Sequence, residues 1–286
     1  MSNNVIAPQK QMTGMFGNPV AENPIDLMFD AVYKHYGLNW QFWKMNINSS
    51  SEIPVAIAGA KAMGFAGFCI TVPYKIDVID TLDAYDDDVR VIGAANYVTF
   101  EQGLMIGHNN DGKGVVKAIE KVTSIAGKRA VMLGAGGAGR AMAVEIARAG
   151  VSHLTIITRR ESQGVEVANL VQRATGVPTE WVCWTGNIAL PEGTQILLNA
   201  THLGALPERE SVPIDWSTLS VEATVVDVIT NPRITPFLET AREKGCFVVD
   251  GVDMLVQLAM QIFEAWTGIT PDELIFQSAV ERALGE

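Results

Sequence analysis

Val131-Met-Leu-Gly-Ala-Gly-Gly-Ala-Gly-Arg140 is the stretch that decides the fold of this 286-residue chain. Its first three residues are apolar and typical of the end of a buried strand, and residues 140–149 have the composition of a helix. Between them, the G-x-G-x-x-G spacing is formed by Gly134, Gly136 and Gly139. The first glycine permits a tight turn, the second lets backbone approach a pyrophosphate, and the third lets helix and strand pack closely.

The surroundings of this glycine turn favour a dinucleotide site over a purely structural turn, which is the alternative. The pattern follows a strand, opens a helix and precedes a second apolar run at 153–158. Free N–H groups and the positive end of the helix dipole would hold the phosphates. We therefore expect phosphate contacts from the turn residues Gly134, Gly136, Gly137, Ala138 and Gly139.

Composition limits the class of protein and its partners. Hydrophobic residues make up 48% of the chain and charged residues 19%, which is typical of a globular protein with enough length for two domains. The formal net charge of -11 argues against nucleic acid, whose phosphates would be repelled, and gives no support for an anionic membrane surface. We expect a small-molecule substrate, no nucleic acid, no membrane, and a monomer or homodimer.

Cysteine usage and the N-terminus indicate a cytoplasmic protein. Cys69, Cys183 and Cys246 are far apart and form no C-x-x-C pair, which fits a reducing compartment. Residues 1–11 are polar without a hydrophobic signal core, and no apolar run reaches membrane-spanning length. The four histidines lack metal-ligand spacing, so no metal site is expected.

The order of apolar runs predicts an α/β protein of two domains. In residues 19–111 the predicted helices are 25–36 and 51–63, and the predicted strands are 40–47, 67–72, 90–100 and 103–107, the last two joined by a turn at 101–103. Further strands at 130–133, 154–158, 195–199, 224–228 and 247–249 predict a doubly wound, Rossmann-type parallel sheet. Helices in 254–284, broken at Thr270-Pro271, should pack back on the first domain. The predicted substrate domain is 1–111 plus 252–286, and the predicted dinucleotide-binding domain is 112–251.

Two residues of the first domain have the chemistry to move a proton. Lys75 follows Thr71-Val-Pro-Tyr just beyond a strand end, where a proline-stiffened turn would aim it into a cleft. Asp111 lies in the turn-rich stretch His108-Asn-Asn-Asp-Gly-Lys-Gly114, where the two domains should join. A hydride that leaves an alcohol requires the hydroxyl proton to be taken up in concert, and a lysine–aspartate pair can do this. A surface lysine and an Asp-Gly turn are the alternative from spacing alone.

Seven segments, in the same order over nearly the whole length, resemble the shikimate dehydrogenase family. They are Gly17-Asn-Pro-Val20, Thr71-Val-Pro-Tyr-Lys75, Gly93-Ala-Ala-Asn96, Asn110-Asp111-Gly112, the Gly134–Gly139 turn, Asn199-Ala-Thr201 and Gly251-Val-Asp-Met-Leu255. The resemblance implies that Lys75 and Asp111 are the catalytic pair and that Thr71 and Asn96 hydrogen-bond substrate hydroxyls. It also implies a nicotinamide side lined by Asn199, Ala200, Thr201, Val228, Gly251 and Met254.

Positions that recognise the substrate in the family differ here. The family's Ser-x-Ser-Pro, which holds the substrate carboxylate, aligns with Asn23-Pro-Ile-Asp26; Asn23 can donate a hydrogen bond, whereas Ile25 cannot. A family asparagine aligns with Cys69, and a tyrosine with Thr230. Each lost polar partner costs about 1–3 kcal/mol. Shikimate itself is therefore expected to be a weaker substrate than a related ring compound.

The family's glutamine on the C-terminal substrate helix aligns with Leu258. Gln257 beside it points about 100° away round a helix, whereas Gln261 returns to nearly the same face as Leu258. The expected substrate contacts are therefore Asn23, Thr71, Asn96, Thr230 and Gln261.

Cofactor choice depends on Thr158-Arg-Arg-Glu-Ser-Gln163, which follows the second strand of the parallel sheet. An acidic residue there would hold the ribose 2′-hydroxyl of NAD, and arginine accommodates the 2′-phosphate of NADP. Arg159 and Arg160 can clamp that phosphate, with Thr158 beside them, although Glu161 is close and Gln163 stands where NADP-using relatives often have a basic residue. We expect NADP, with NAD as the alternative.

These features together predict an NADP-dependent oxidoreductase that interconverts a ring secondary alcohol and a ketone on shikimate or a shikimate/quinate-like hydroxylated ring acid. The resemblance places such an enzyme in aromatic amino acid biosynthesis. The alternative is a non-catalytic dinucleotide-binding sensor or regulator on the same fold. The Lys75 and Asp111 pair favours the enzyme, because a sensor has no use for a proton donor beside the nicotinamide.

Overall fold

The computed structural model describes residues 9–207 and 210–285. Its strands form two large sheets and one small sheet. The N-terminal stretch 1–11, which was expected to lack the hydrophobic core of a signal peptide, lies mostly in residues 1–8, outside the described residues. In chain order the strands are β1 (Gln11–Gly17), β2 (Trp40–Asn46), β3 (Gly67–Ile70), β4 (Ala84–Tyr85), β5 (Tyr97–Glu101), β6 (Leu104–His108), β7 (Arg129–Leu133), β8 (His153–Thr158), β9 (Thr179–Cys183), β10 (Ile188–Ala189), β11 (Ile196–Asn199), β12 (Ile214–Asp215), β13 (Thr224–Asp227) and β14 (Phe247–Val249).

Helices connect and cover these strands. They are α1 (Ile25–His35), α2 (Ile53–Ala62), α3 (Asp87–Ile92), α4 (Asp111–Glu120), α5 (Gly137–Arg148), α6 (Glu161–Thr175), α7 (Pro236–Lys244), α8 (Gly251–Thr267) and α9 (Glu273–Leu284). Among residues 9–207 and 210–285, no helix combines the length and the apolar character that a membrane crossing requires.

The first sheet is mixed and has the strand order β2-β1-β3-β5-β6-β4. β1 runs parallel to β2 and β3, whereas β5 is antiparallel to both β3 and β6. The expected turn at 101–103 joins β5 to β6, with Gln102 and Gly103 both at positive φ, the backbone that a tight hairpin turn requires. The α/β character expected for this part of the chain is confirmed.

The second sheet is entirely parallel and has the order β14-β13-β11-β7-β8-β9. Counted from β7, this is the 3-2-1-4-5-6 order of doubly wound dinucleotide-binding sheets, read from its far edge. Its central strands are buried on both faces, which explains their continuous apolar runs. The predicted fold class is confirmed, and the order reverses between β7 and β11, directly beside the glycine turn.

The two C-terminal helices pack against the first sheet, as expected. Trp266 Nε1 donates a hydrogen bond to the Val98 carbonyl at 3.0 Å, and the rings of Phe29 and Phe276 meet edge to face. α8 begins before the predicted residue 254, because the Asp250 carboxylate caps its first turn. The proposed domain boundaries at 111 and 251 stay a prediction.

One predicted strand was wrong at its start. Residues 90–92 belong to α3 rather than to a strand that continues to 100. The side chain of Asp86 accepts a hydrogen bond from the Val89 N–H and starts this helix, and Gly93 ends it in the left-handed conformation. A short capped helix therefore overrode the β-branched pattern of Val89, Val91 and Ile92. β1 was not predicted, because its two glycines weaken the strand signal.

Gly112 tests the contact between α4 and α5. A Cβ at Gly112 would lie 2.4 Å from the Ala141 carbonyl oxygen, so Gly112→Ala should lower the free energy of unfolding by about 1–3 kcal/mol through overpacking. The control is Gly59→Ala in α2, whose Cβ meets only the Met63 methyl at 3.9 Å. That variant should gain up to about 1 kcal/mol from helix propensity. Urea denaturation measures both, and equal effects of the two substitutions would contradict a tight α4–α5 contact.

Candidate active site

Lys75 stands on an anchored turn at the end of β3. The Tyr74 N–H donates to the Thr71 carbonyl at 3.1 Å, and the Tyr74 hydroxyl donates to the Ile47 carbonyl at 2.7 Å. The Lys75 carbonyl accepts from the Ala95 N–H at 2.8 Å. The backbone is therefore anchored at Lys75 and at the residue before it. These anchors fix the direction in which the Lys75 side chain leaves the turn.

Lys75 and Asp111 form a buried ion pair, with Nζ and Oδ2 2.5 Å apart and side chains 11% and 4% exposed. The other carboxylate oxygen, Oδ1, accepts from Asn96 Nδ2 at 3.0 Å. Asp111 is the first residue of α4, whose positive helix end favours a carboxylate. The structure thus brings Asn96, which was predicted to contact substrate, together with the predicted Lys75–Asp111 pair, and Asn96 binds the Asp111 carboxylate itself.

Asparagines around Asp111 connect this pair to the last helices. Asn96 Nδ2 also donates to Asn110 Oδ1 at 2.7 Å, and Asn110 Nδ2 donates to the Leu258 carbonyl of α8 at 2.9 Å.

Cys69 lies next to the Lys75–Asp111 pair, and burial raises the pKa of its thiol far above the ordinary value. The thiol therefore stays protonated at neutral pH.

The glycine turn has the form of a phosphate cradle. Gly134 has a φ of +94°, and a Cβ there would lie 2.9 Å from the Ala200 carbonyl oxygen. A Cβ at Gly136 would meet nothing within 4 Å, so open space lies in front of the first turn of α5. That turn carries no acidic residue, and no side chain caps its N–H groups. These features fit a dinucleotide diphosphate.

The ion pair adjoins this cradle. A Cβ at Gly137, the first residue of α5, would lie 3.4 Å from the Cβ of Lys75. The Lys75 side chain is therefore in van der Waals reach of the helix end that would hold the phosphates. This contact is the spatial requirement for the oxidoreductase expected from the sequence.

An open crevice runs from Val72 across the glycine turn to the ends of β8 and β9, and we call it the cofactor crevice. Its lining residues are Val72, Gly134, Ala135, Gly136, Ala138, Thr158, Arg159, Arg160, Gln163, Trp184, Ala200, Thr201, His202 and Val228. Most residues proposed to contact the cofactor are among them. Five lining residues were not among those proposed to contact the cofactor: Val72, Ala135, Gln163, Trp184 and His202. Trp184 follows β9, a strand that the sequence patterns did not predict.

Five of the proposed cofactor residues do not line the crevice: Gly137, Gly139, Asn199, Gly251 and Met254. Asn199 is fully buried, and its Oδ1 accepts from the Thr201 N–H and hydroxyl at 3.1 and 2.7 Å. A Cβ at Gly251 would lie 2.2 Å from the Ile229 carbonyl oxygen. These positions shape the wall, and their direct contact with a cofactor stays a prediction.

The far end of the crevice carries positive charge. Arg159 and Arg160 are exposed and form no ion pair with any residue that the structure describes. Thr158 supports them, since its hydroxyl donates to the Arg160 carbonyl at 2.9 Å and accepts from Trp181 Nε1. Glu161 begins α6 and does not pair with either arginine. The arrangement fits a 2′-phosphate.

Four proposed substrate residues are not hydrogen-bonded to the Lys75–Asp111 pair within the described residues. Thr71, whose role with substrate stays a prediction, is one of them, and the other three are Asn23, Thr230 and Gln261. Asn23 Oδ1 accepts from the Ile25 N–H at 3.0 Å. Ile25 is 2% exposed in the core, and Lys44 pairs with Asp26 at 3.1 Å. Lys44, on β2, is thus the cation beside the turn that aligns with the family's carboxylate clamp, and it already has a carboxylate partner in that turn. The roles of these three residues stay predictions.

Gln257 is a candidate that the helical-wheel argument set aside. Its side chain is 7% exposed, and its Nε2 has no hydrogen-bond partner among the described residues. Gln261 instead donates to the Gln257 carbonyl of its own helix at 2.9 Å. A buried amide without a partner costs about 1–3 kcal/mol, so a water or a substrate hydroxyl would be favourable there. Gln257 joins Gln261 as a candidate on α8.

Asp227 is hydrogen-bonded both to Asn199, at the end of β11, and to the loop that follows β13. It is fully buried at the end of β13, and its oxygens accept from the Thr235 hydroxyl at 2.6 Å and from Asn199 Nδ2 and the Ile229 N–H at 3.2 Å. Burial raises the pKa of Asp227 from 3.8 to about 6. The carboxyl group therefore titrates close to neutral pH in the folded protein.

Comparisons with known proteins agree on one family. Residues 15–98 match the shikimate dehydrogenase substrate binding domain. The chain is 33% identical over 278 residues to shikimate dehydrogenase (NADP(+)) of Methanococcus aeolicus, which covers 96% of this chain and 99% of that protein. The crystal structure of 5-ketofructose reductase of Gluconobacter sp. strain CHM43 is 41% identical, with a TM-score of 0.88 over 96% of this chain and 99% of that one. Shikimate 5-dehydrogenase of Thermus thermophilus, solved with NADP(H) and shikimate, is 27% identical, with a TM-score of 0.84 over 96% and 100%.

The raised pKa of Asp227 predicts a pH-dependent stability. A carboxyl group that binds its proton more tightly in the folded state stabilises the fold at low pH and loses this contribution as pH rises through about 6. Between pH 4 and 7 the free energy of unfolding of the parent should fall relative to Asp227→Asn, by up to about 3 kcal/mol. Urea denaturation across this range measures the difference.

Asp215→Asn is the control, because hydrogen bonds from Ser217 lower the pKa of Asp215 and the expected sign is opposite. A constant stability difference between parent and Asp227→Asn from pH 4 to 7 would show that Asp227 has an ordinary pKa.

Proposed function

Because this chain belongs to the shikimate dehydrogenase family, we propose that it uses NADP to interconvert a secondary alcohol and a ketone on a small hydroxylated substrate. The Lys75–Asp111 pair beside the glycine turn is the observation that carries this conclusion. Enzymatic activity and NADP as cofactor, both expected from the sequence, are confirmed by the relatives, and nothing supports the non-catalytic alternative. The expected location and oligomeric state stay predictions.

The residues of this chain divide the reaction between two sides. When bound, NADP supplies the nicotinamide ring that exchanges hydride with the substrate carbon. In the direction of reduction, the Lys75 ammonium donates a hydrogen bond to the ketone oxygen and then a proton to the developing alkoxide. Asp111 stabilises the ammonium form before the transfer, and Asn96 keeps the carboxylate in register. Oxidation of the alcohol reverses these steps, with neutral Lys75 accepting the hydroxyl proton.

Shikimate or a shikimate/quinate-like ring acid is the first candidate substrate. Curated relatives over 96% of the chain are NADP-dependent shikimate dehydrogenases, and the Thermus thermophilus enzyme was solved with shikimate. Thr71, Asn96 and the candidate glutamines of α8 provide polar groups for ring hydroxyls. This candidate requires another group to replace the carboxylate clamp.

A polyhydroxylated ketone without a carboxylate is the second candidate. The 41% identity to the Gluconobacter 5-ketofructose reductase exceeds the identity to the shikimate dehydrogenases above. Lys44 is neutralised by Asp26, and Ile25 is packed in the core. Beside Lys44 and Ile25, burial of a substrate carboxylate without a partner would cost binding free energy, whereas burial of neutral hydroxyl groups would cost much less.

An NADPH-oxidation panel decides between the candidates. It contains the ketones derived from shikimate and quinate together with 5-ketofructose, each tested with NADPH and NADH. We expect NADPH-dependent turnover and a higher kcat/KM for the neutral ketone, because the carboxylate clamp is missing. A higher value for either ring acid would select the first candidate. Absence of turnover on every ketone, at substrate concentrations in the millimolar range, would contradict the proposed activity.

Lys75→Ala tests the proton role. Removal of a general acid lowers kcat by about 10²- to 10⁴-fold, while the dissociation constant for NADPH should stay within about twofold, since the lysine acts on the substrate. Steady-state rates and calorimetric NADPH titration measure the two quantities. Lys61→Ala, which removes an exposed lysine paired with Asp83, is the control and should match the parent. A Lys75→Ala rate within about tenfold of the parent, a loss of only ~1.4 kcal/mol, would show that another group moves the proton.

A further inference from the structure

Trp184 stands at the end of the cofactor crevice that lies farthest from the nicotinamide side. The backbone N–H of Trp184 donates to the Thr158 carbonyl at 2.9 Å, and this hydrogen bond fixes Trp184 against the end of β8. The indole is partly buried against the apolar cluster of the second sheet and lines the crevice. The Arg159 guanidinium lies over the indole ring, 5.4 Å from its centroid.

Strand order shows which part of a dinucleotide would reach Trp184. The diphosphate belongs at the glycine turn after β7, and the adenosine ribose at the end of the next strand, β8. Adenine lies beyond that ribose, and the next strand in the sheet is β9. Trp184 is the first residue after β9, so its ring stands where the base is expected.

The chemistry at this end suits a base attached to a phosphorylated ribose. Adenine presents a flat π-face that stacks on aromatic rings, and an indole is a large one. Arg159 has no carboxylate partner among the described residues, so its position on the indole is a cation–π contact that a ligand can replace. Arg160 stands beside it without an ion pair as well.

We propose that the adenine ring of the cofactor stacks on Trp184, on the face that Arg159 covers, and that the displaced Arg159 turns with Arg160 toward the 2′-phosphate. This inference rests on the proposed use of NADP. It assigns Trp184 to the base, which NADP and NAD share, and the arginines to the phosphate, which only NADP carries. The two roles therefore differ in how they affect the two cofactors.

Calorimetric titration of the intact protein with NADPH and with NADH separates these roles. Trp184→Leu should weaken both cofactors by a similar factor, about five- to hundredfold, because stacking is lost. Trp184→Phe should keep most of the affinity, since it retains an aromatic face. Arg159→Gln should weaken NADPH more than NADH. Unchanged binding of both cofactors by Trp184→Leu, with the parent binding normally, would overturn the inference and leave the proposed function intact.

A fluorescence measurement covers the case in which Trp184→Leu does not fold. Adenosine 2′,5′-bisphosphate, which lacks the nicotinamide half, should quench tryptophan fluorescence of the parent, and this change should be largely lost in Trp184→Phe at saturating probe. Equal quenching in parent and Trp184→Phe would place the base elsewhere. A parent that binds neither NADPH nor NADH would instead overturn the proposed function together with this inference.

Discussion

The buried ion pair of Lys75 and Asp111 is the constraint on which the rest of the site depends. Taking either charge out of water alone costs several kcal/mol, so each residue requires the other in place. The turn after β3 and the start of α4 must therefore meet, and Asn96, between α3 and β5, closes the contact by binding the second carboxylate oxygen. A buried ion pair is a costly way to stabilise a fold. It has a use in catalysis when a substrate oxygen can share the proton.

Close backbone contacts bring this pair to the cofactor side. α4 packs against both α5 of the second sheet and α8 of the C-terminal pair, and Gly112 and Gly114 allow these approaches. Asp88 of α3 adds a charged contact at the same junction, since it pairs with Arg148 of α5 and Lys113 of α4. The result is the approach of Lys75 to Gly137, which places the ion pair beside the N-terminal end of α5.

The two sides of the crevice follow different physical requirements. Phosphate, ribose and base are the same in every reaction of NADP, so the groups proposed to hold them here (the glycine turn, Arg159, Arg160 and Trp184) do not depend on the substrate. The substrate side must match one molecule, and here it combines a core isoleucine at position 25, a neutralised Lys44 and a buried amide at Gln257. The Lys75–Asp111 pair of the proposed mechanism is thus present, while the positions that align with the family's carboxylate-binding residues differ.

By itself the sequence determined the fold class, the strand rhythm and the glycine turn, because these depend on local periodicity and on motif spacing. The Lys75–Asp111 pair was predicted from the resemblance to the family, since spacing alone left a surface lysine and an Asp-Gly turn as the alternative. Prediction from the sequence failed at α3 and at β9. The local Asp86 cap, which makes residues 90–92 helical, was outweighed by the β-branched pattern that follows it. β9, with Trp184 after it, is a partly exposed edge strand that the apolar runs did not indicate. Only the tertiary structure decided that Asn96 holds Asp111, that Gln257 rather than Gln261 has an unsatisfied amide, and that Ile25 faces the core. Each of these facts depends on which side chains meet across long sequence separations, and that is fixed by packing.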